Sequence, residues 1–190
     1  MKLILASKSP RRKELLKKIG VDFEISAPKN AEIFVKGMPI DDAIKLIALK
    51  KAQEIYEKGG GGAVLSADSV VVFGGEVIGK PESPADAVNI LKKLSGKEHL
   101  VKTAIAFIGD GFFYNECITS KVVFNELSDE FIKAYVESGS PLDKAGAYGI
   151  QDKGIVKEYY GSYDNIVGLP TERVDEILIK EGFKGREKNV

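Results

Sequence analysis

The chain has 190 residues, of which 44% are hydrophobic and 29% charged, and its 28 basic side chains equal its 28 acidic ones. This composition predicts a soluble globule with a full core, and the length suits one domain or one domain with a lobed shape. Proteins that bind a nucleic acid polymer usually carry a basic excess, so the balanced charge argues against such a partner, although a small phosphorylated ligand needs only a local cluster of charge.

Cysteine content and hydropathy indicate the compartment. Cys117 is the only cysteine, so no internal disulfide can form and a reducing environment fits. The apolar run at residues 3–6 is too short for a signal peptide core, and no stretch of the sequence is long enough to span a bilayer. The sequence therefore predicts a cytoplasmic protein without a membrane partner.

The first third of the chain predicts a strand, a tight turn and a helix, followed by a second strand and a second helix. Ser9 and Pro10 are a strong helix start, because serine caps an N-terminus and proline suits the first helical position. Gly20 is placed to end that helix. The predicted elements are strands at residues 3–6 and 21–26, helices at 11–19 and 40–58, and a loop at 27–39.

The rest of the chain mixes hairpins with helices. Gly74-Gly75 and residues 109–111 predict hairpin turns, and a further helix is predicted between Pro84 and Gly96. Strands are predicted at residues 63–67, 70–73, 76–78, 99–108 and 112–124, with weaker strand patterns at 150–160 and 163–167. Helices are predicted at 128–138 and 171–180, an irregular loop at 141–149 and a frayed polar tail at 181–190.

No internal repeat or linker divides the chain, so residues 1–190 are predicted to form a single domain. Helices interleave with strands, but two hairpins break strict alternation. The pattern therefore predicts an α/β or α+β fold with a mixed sheet.

The first candidate site is the basic turn at residues 7–12. A helix N-terminus presents unpaired backbone N–H groups and a partial positive charge, and Ser7, Ser9, Arg11 and Arg12 crowd this one. Arginine fits phosphate oxygens, and its charge opposes the helix dipole here, so an anion would offset it. The turn lacks the Walker A pattern. A capped helix with solvated arginines is the alternative interpretation.

Asp68 is the second candidate, because it follows an apolar strand and an unpaired buried carboxylate is costly. A metal ion or a proton-transfer role would explain its position, and a strand-end aspartate that caps a turn beside Ser69 is the alternative. Glu32 and Lys80 are each an ordinary surface charge when taken singly. Together they are of interest because carboxylates hold a hard cation and a lysine takes up phosphate charge.

A loop rich in small residues at 144–151 is the last candidate. Small residues let the backbone approach a ligand, and Gln151 can both donate and accept, so it can read a base edge. A tight loop with an exposed amide is the alternative. His99, the only histidine, is predicted to be a surface strand residue, and Cys117 a structural thiol.

These pieces together resemble the Maf family in their order and spacing. Residues 5–12 with 14–16 look like its N-terminal signature, residues 67–69 with 79–81 are similar to its central motif, and residues 143–151, 161–163 and 167–170 resemble its C-terminal signature. Each motif alone is moderately specific, whereas the set in this order is highly specific. The resemblance runs from the start of the chain to about its last helix.

The resemblance implies a nucleoside triphosphate pyrophosphatase that uses a divalent cation, Mg²⁺ or Mn²⁺. The implied architecture is that of the inosine triphosphate pyrophosphatases: an α/β fold with an elongated mixed sheet, flanking helices and two lobes around a central cleft, usually as a homodimer. The subgroup whose last signature contains Ala-Gly-Ala-Tyr-Gly-Ile-Gln, as at residues 145–151, prefers dTTP and UTP.

The family's site roles carry over onto matching positions. Phosphate-contacting positions match Ser7, Arg11, Arg12 and Lys80; the metal-binding carboxylate matches Glu32; and the proton acceptor, which also holds the metal, matches Asp68. Lys51 falls near a further substrate-binding lysine of the family. Positions tied to substrate choice match Arg11, Ser69 and Gln151. Glu32 and Lys80 are therefore expected to act with Asp68 in catalysis.

Two other functions remain open at this point. A house-cleaning pyrophosphatase would act on modified nucleotides. A nucleotide-responsive regulator, linked to septum formation as the family's name suggests, would bind a triphosphate without metal-dependent turnover. The joint presence of Asp68, Glu32 and Lys80 favours catalysis, because a sensor needs no carboxylate that activates water.

Overall fold

The computed structural model describes residues 2–29, 34–35, 37–59 and 62–185. The strands are β1 (Leu3–Leu5), β2 (Glu24–Ile25), β3 (Ala63–Phe73), β4 (Glu76–Ile78), β5 (Glu98–Gly109), β6 (Phe112–Phe124) and β7 (Val156–Tyr160). The helices are α1 (Pro10–Ile19), α2 (Ile40–Glu57), α3 (Pro84–Leu94), α4 (Asp129–Glu137), α5 (Tyr163–Val167) and α6 (Thr171–Lys180), with 3-10 turns at Ser140–Asp143 and Ala145–Ala147. None of the helices within these residues combines the length and hydropathy that crossing a bilayer would require.

The described strands form one seven-stranded sheet in the order β2-β1-β3-β5-β6-β7, with β4 paired to β3. β1 runs parallel to both of its neighbours, so that Leu5 lies opposite Ile25 on one side and Leu65 on the other. β4 is antiparallel to β3, and β7 is antiparallel to β6. Parallel and antiparallel pairs in one sheet, together with the helices, confirm the predicted α/β class with a mixed sheet.

The chain folds into two compact units. The first unit comprises Met1–Asp68, Thr103–Ile118 and Gly168–Val190, and the second unit comprises Ser69–Lys102 and Thr119–Val167. The boundaries between them therefore fall inside β3, β5 and β6.

Helix α1 of the first unit begins and ends as its sequence predicts. The Ser9 side chain caps its N-terminus, Pro10 takes the first position, and Gly20 ends it with a left-handed φ of 78°. Its buried face consists of Leu15, Leu16 and Ile19, and α1 contacts α6, whose buried face consists of Val174, Ile177 and Leu178. Apolar residues at helical spacing thus supply part of the first unit's core.

The second unit has its own apolar core, to which α3, α4 and several strands contribute. Its buried members are Val71, Ile78, Ala87, Leu91, Leu94, Val101, Val122, Phe124, Ile132, Val136, Ala147, Tyr148 and Ile155. Ala147 and Tyr148 belong to the predicted loop at 141–149, so this loop is part of the core rather than a surface excursion.

The strand predicted at residues 163–167 is wrong, because this segment is the helix α5. The Ser162 hydroxyl oxygen accepts a hydrogen bond from the Asn165 backbone N–H at 3.1 Å, as an N-cap does. The buried Asn165 amide also donates to Ser120 Oγ at 2.9 Å and to the Val101 carbonyl at 3.3 Å. These contacts with distant strands stabilise a helical turn that the local pattern does not predict.

The prediction of a surface position for His99 is also wrong. The residue is only 3% exposed, and its Nε2 lies 2.8 Å from the Tyr148 hydroxyl, beside the edge of the Phe124 ring. Burial lowers the pKa of His99 from 6.5 to about 4. The imidazole is therefore neutral at physiological pH.

Several predicted boundaries change. The strands predicted at 63–67 and 70–73 form the single strand β3, so Asp68 lies inside a strand rather than at its end. The second strand covers Glu24–Ile25 rather than 21–26, and the strand predicted at 150–160 begins only at Val156, after turns. The frayed tail does not begin at residue 181, because Phe183 packs on Phe107 and Phe112 and Lys184 pairs with Asp175 at 2.9 Å. Residues 186–190 lie outside the described residues.

The burial of His99 predicts an acid-dependent loss of stability. The pKa in the folded state lies below that of the unfolded chain, so the unfolded chain binds the proton more tightly and stability falls as the pH drops from 6.5 towards 4. The shift corresponds to about 3 kcal/mol, fully lost only below the folded-state pKa. His99→Gln keeps a polar group near the Tyr148 hydroxyl and removes the titration.

Urea unfolding of the wild type and His99→Gln at several pH values from about 7 to 4 checks this. We expect the variant to lose less free energy of unfolding on acidification than the wild type. Parallel curves for the two proteins would show that His99 titrates in the folded state as it does in the unfolded chain.

Candidate active site

The basic turn at residues 7–12 follows β1 and includes the first residues of α1. The Ser9 hydroxyl oxygen accepts a hydrogen bond from the Arg12 backbone N–H at 3.4 Å, and the Ser9 N–H donates to the buried Ser7 hydroxyl oxygen at 3.1 Å. The first turn of α1 carries no acidic side chain, so Arg11 and Arg12 add positive charge to the positive end of the helix dipole. The turn therefore has the polarity of an anion-binding site.

Arg12 also connects this turn to the C-terminal signature. Its Nε donates to the Gly168 carbonyl oxygen at 2.8 Å. Gly168 has a φ of 130°, which favours glycine at this position. A guanidinium presents five N–H donors in a fixed plane, so a bond from Nε orients the whole group. Residues that are distant in sequence thus meet within the first unit.

Asp68 and the basic turn each come shortly after the segment in which β1 and β3 pair. In the parallel pair of β1 and β3, Leu5 lies opposite Leu65, and the Ala6 N–H donates to the Leu65 carbonyl at 2.8 Å. The basic turn and Asp68 both follow this paired segment in the same chain direction. Ligands of α/β sheets bind beyond the carboxyl ends of parallel strands. The basic turn begins where β1 ends, and Asp68 lies inside β3, shortly after the segment that pairs with β1, so both are close to the carboxyl end of this parallel pair.

The Asp68 carboxylate has a cationic partner, Lys51. Lys51 Nζ lies 2.7 Å from Asp68 Oδ1, and the two side chains are only 10% and 7% exposed. Lys51 extends from α2, which is fixed to β3 by a bond of 2.5 Å from the Ser66 hydroxyl to the Ala48 carbonyl. The ion pair accounts for a carboxylate in a buried strand, and it places Lys51, a predicted substrate-binding residue, directly on the predicted proton acceptor.

The helical periodicity of α2 could have indicated that Lys51 is buried and needs a charged partner. Lys51 shares the buried face of α2 with Ile44, Ile47, Ala48 and Ile55. A lysine within an apolar stripe needs an anionic partner, because an unpaired buried ammonium is costly. The identity of that partner could not be predicted, since Asp68 lies in a different element.

The predicted metal site can be tested only in part. Glu32 lies outside the described residues, and within residues 2–29, 34–35, 37–59 and 62–185 no three His, Cys, Asp or Glu side chains converge as a metal site. Asp68 is a carboxylate with hard oxygen atoms, which suit Mg²⁺ or Mn²⁺, and Lys51 contacts one of the two oxygens. The chemistry of the described donor therefore fits such an ion.

In the second unit the central and C-terminal motifs are hydrogen-bonded to each other. The Gly146 N–H donates to the carbonyl of Gly79, the residue before the exposed Lys80, at 2.9 Å. A Cβ on Gly146 would lie 2.8 Å from Val71 Cγ2, and the φ of Gly146 is 71°, so this position requires glycine. The half-buried Ser69 lies two residues before Val71 and therefore on the same face of β3.

Gln151 is exposed, as the alternative interpretation of this loop expects and as a base-reading role also requires. Its amide lies over the backbone of Gly149, where a Cβ would come within 2.8 Å of Gln151 Nε2 and 2.9 Å of Asp152 Oδ2. A substitution at Gly149 would therefore displace both neighbouring side chains.

Asp152 and Tyr135 are site-adjacent residues that the sequence did not identify. The Tyr135 hydroxyl donates to Asp152 Oδ2 at 2.5 Å, and the Gly149 N–H donates to the same oxygen at 3.1 Å. Tyr135 lies in α4, in a different element from the loop, so no local pattern could have predicted this contact.

Comparison with known proteins identifies relatives over nearly the whole chain. The sequence model for the Maf-like protein family matches residues 2–181. A relative from Aquifex aeolicus (strain VF5), named dTTP/UTP pyrophosphatase, is 44% identical over 180 residues, covering 94% of each chain. A relative of the same name from Thermococcus gammatolerans is 46% identical over 172 residues, covering 90% of this chain and 91% of its own.

The fold is also similar to that of a solved structure. The Staphylococcus aureus Ham1 protein superposes with a TM-score of 0.52 at 14% identity, covering 95% of this chain and 100% of that one. At this level of identity the similarity concerns the fold alone.

Lys51→Met tests the buried ion pair. Removal of the ammonium leaves the Asp68 carboxylate buried without that partner, so we expect the free energy of unfolding to fall by about 3–5 kcal/mol. The double variant Lys51→Met with Asp68→Leu should recover much of this loss, because it removes both charges. Urea unfolding measures each difference.

Lys2→Met is the matched control in the same unit. Lys2 pairs with Glu24 at 2.9 Å, but the side chains are 42% and 65% exposed, so its loss should cost about 0–1 kcal/mol. Equal losses for Lys51→Met and Lys2→Met would contradict the account of the buried pair.

Proposed function

This chain belongs to the Maf-like protein family, and we propose that it is a nucleoside triphosphate pyrophosphatase that hydrolyses dTTP and UTP to dTMP or UMP and pyrophosphate. The observation that carries the proposal is the extent of the similarity: relatives named dTTP/UTP pyrophosphatase share 44% and 46% identity across nearly the whole chain. The residues of the first unit supply groups with the chemistry that this reaction needs.

The basic turn is suited to the phosphate chain of the substrate. The Ser7 hydroxyl, the two guanidiniums of Arg11 and Arg12 and the N-terminus of α1 all favour anionic oxygen atoms. Charge-assisted bonds of this kind stabilise the negative charge that develops on departing pyrophosphate. Lys80, in the second unit, is assigned to the same task by the family resemblance.

Asp68 is the proposed proton acceptor. A water oxygen forms a bond to the α-phosphorus, the bond from that phosphorus to the α–β bridging oxygen breaks with its electrons going to pyrophosphate, and the water proton passes to the Asp68 carboxylate. Lys51 orients the carboxylate through its contact with Oδ1. The pair thus keeps a base in a fixed position within a largely buried environment.

Asp68 and Glu32 are proposed to hold a divalent cation, Mg²⁺ or Mn²⁺. When bound, such an ion neutralises phosphate charge and polarises a phosphoryl oxygen. Carboxylates combined with substrate phosphates are the usual ligands of magnesium in nucleotide enzymes, which supports this assignment.

Base preference is proposed to depend on Gln151, with Ser69 and Arg11 as further residues for substrate choice. The Gln151 amide can pair with O4 and N3–H of uracil or thymine. Because an amide can also flip to suit cytosine, this residue alone does not select the base.

The homodimer and the cytoplasmic location remain predictions.

Product analysis separates the proposed function from its alternatives. The enzyme should release pyrophosphate from dTTP and UTP when magnesium is present and lose this activity when the metal is removed by a chelator. A panel that includes modified nucleotides tests the house-cleaning function. Binding of a triphosphate without metal-dependent turnover would instead favour the regulator.

Asp68→Asn should remove most turnover. A positioned base contributes about 10²–10⁴-fold in rate, and asparagine keeps the shape of the side chain without its basicity, so kcat should fall by that factor. Pyrophosphate release from UTP measures the effect, and circular dichroism checks the fold. Asp22→Asn, at an exposed aspartate of the same unit, is the control and should retain full activity; near-full activity of Asp68→Asn would refute the assignment.

Arg12→Ala should weaken catalysis, because it removes the proposed contact of Arg12 with the phosphate chain of the substrate. Loss of a charge-assisted hydrogen bond costs about 1.5–3 kcal/mol, which corresponds to about a ten-fold to hundred-fold lower kcat/KM. Lys13→Ala is the matched control, because Lys13 is the next residue and is exposed. An unchanged kcat/KM in Arg12→Ala would exclude a phosphate role for Arg12.

A further inference from the structure

The loop that carries Gln151 is fixed on both sides of that residue. Upstream lies Tyr148, which is buried, and downstream lies Asp152, which is half-buried and hydrogen-bonded. Only residues 149–151 lie between these two anchors. Ala147, just before the first anchor, has a φ of 58°, a left-handed conformation that residues other than glycine rarely adopt and that only a firmly held backbone maintains.

The upstream anchor is an aromatic cluster in the core of the second unit. The Tyr148 hydroxyl lies 2.8 Å from His99 Nε2, and its ring meets the Phe124 ring edge to face at a centroid distance of 4.7 Å. His99 meets the same Phe124 ring at 4.9 Å. Tyr148 therefore both packs on an aromatic ring and has a polar partner, and these contacts fix the loop to the core of the second unit.

The downstream anchor is a carboxylate that collects donors from three segments. Asp152 Oδ2 accepts from the Tyr135 hydroxyl of α4 at 2.5 Å, from the Gly149 N–H at 3.1 Å and from the Ser140 hydroxyl at 3.3 Å. Burial, and then the Asp152 carboxylate, raises the pKa of Tyr135, so its hydroxyl remains a protonated donor. The Gly149 N–H, which also reaches the Tyr135 hydroxyl oxygen at 3.3 Å, is satisfied within this network.

We propose that Tyr135 and Asp152 are positioning residues that set the affinity for the nucleotide by holding the Gln151 loop in its binding geometry. This inference rests on the proposed function, in which Gln151 contacts the base. Their described contacts are with groups of their own unit, and Asp152 is adjacent to Gln151 in sequence. These hydrogen bonds order the loop before the nucleotide binds, so that binding costs less conformational entropy.

Tyr135→Phe tests the proposal with a single hydroxyl removed. Tyr160→Phe is the matched control, since the exposed Tyr160 hydroxyl donates to the Glu158 carboxylate at 2.9 Å in the same unit. We expect KM for UTP to rise about ten-fold in Tyr135→Phe with kcat within about two-fold of the wild type, and no change in Tyr160→Phe. A KM within about two-fold of the wild type, or a loss in kcat larger than the rise in KM, overturns the proposal.

Two further measurements separate positioning from general destabilisation and from failure of the proposed function. Asp152→Asn, which keeps an acceptor oxygen, should raise KM less than Asp152→Ala, and equal effects would count against the network. If the wild type hydrolyses neither UTP nor dTTP, the proposed function fails. Hydrogen exchange in the peptide 144–152 then decides the inference: faster exchange in Tyr135→Phe than in Tyr160→Phe supports it, and equal exchange overturns it.

Discussion

The buried contact between Lys51 and Asp68 connects helix α2 to strand β3 in the first unit. A charge moved out of water is tolerated only when a partner of opposite charge is held close to it, and here the partners come from α2 and β3. The helix must therefore keep its position against the strand for both charges to remain paired. An apolar pair of similar volume would often be as stable or more so, which makes chemistry, rather than stability, the better explanation for a charged pair at this place.

Polar contacts also hold other candidate residues in place. Three of them have a polar contact close by: the Ser7 hydroxyl oxygen accepts from the Ser9 N–H, the Arg12 side chain donates to a carbonyl, and Gln151 is followed by the anchored Asp152. Such contacts hold a site in a productive geometry before the substrate arrives, and preorganised donors are a main source of catalytic power.

The sequence predicted the features that depend on neighbouring residues, such as helix ends and turns. Ser9, Pro10 and Gly20 bound α1 as expected, and Gly74-Gly75 turns β3 into β4, because caps and turns depend on adjacent residues. It failed where a distant partner decides the outcome. The alternating pattern of β5 could not show that His99 faces Tyr148, and the helix at Tyr163–Val167 depends on bonds from Asn165 to other strands. Family resemblance identified the candidate residues, but not the contacts of Lys51 or Asp152, which cross between elements.

In the proposed reaction, water attacks the α-phosphorus of the nucleotide while Asp68 accepts its proton. The most direct measurement is hydrolysis of UTP in water labelled with heavy oxygen, followed by mass spectrometry of both products. We expect the label to enter UMP and the pyrophosphate to be unlabelled. Label in the pyrophosphate, or release of orthophosphate in its place, would mean that a different phosphorus is attacked and would exclude this reaction.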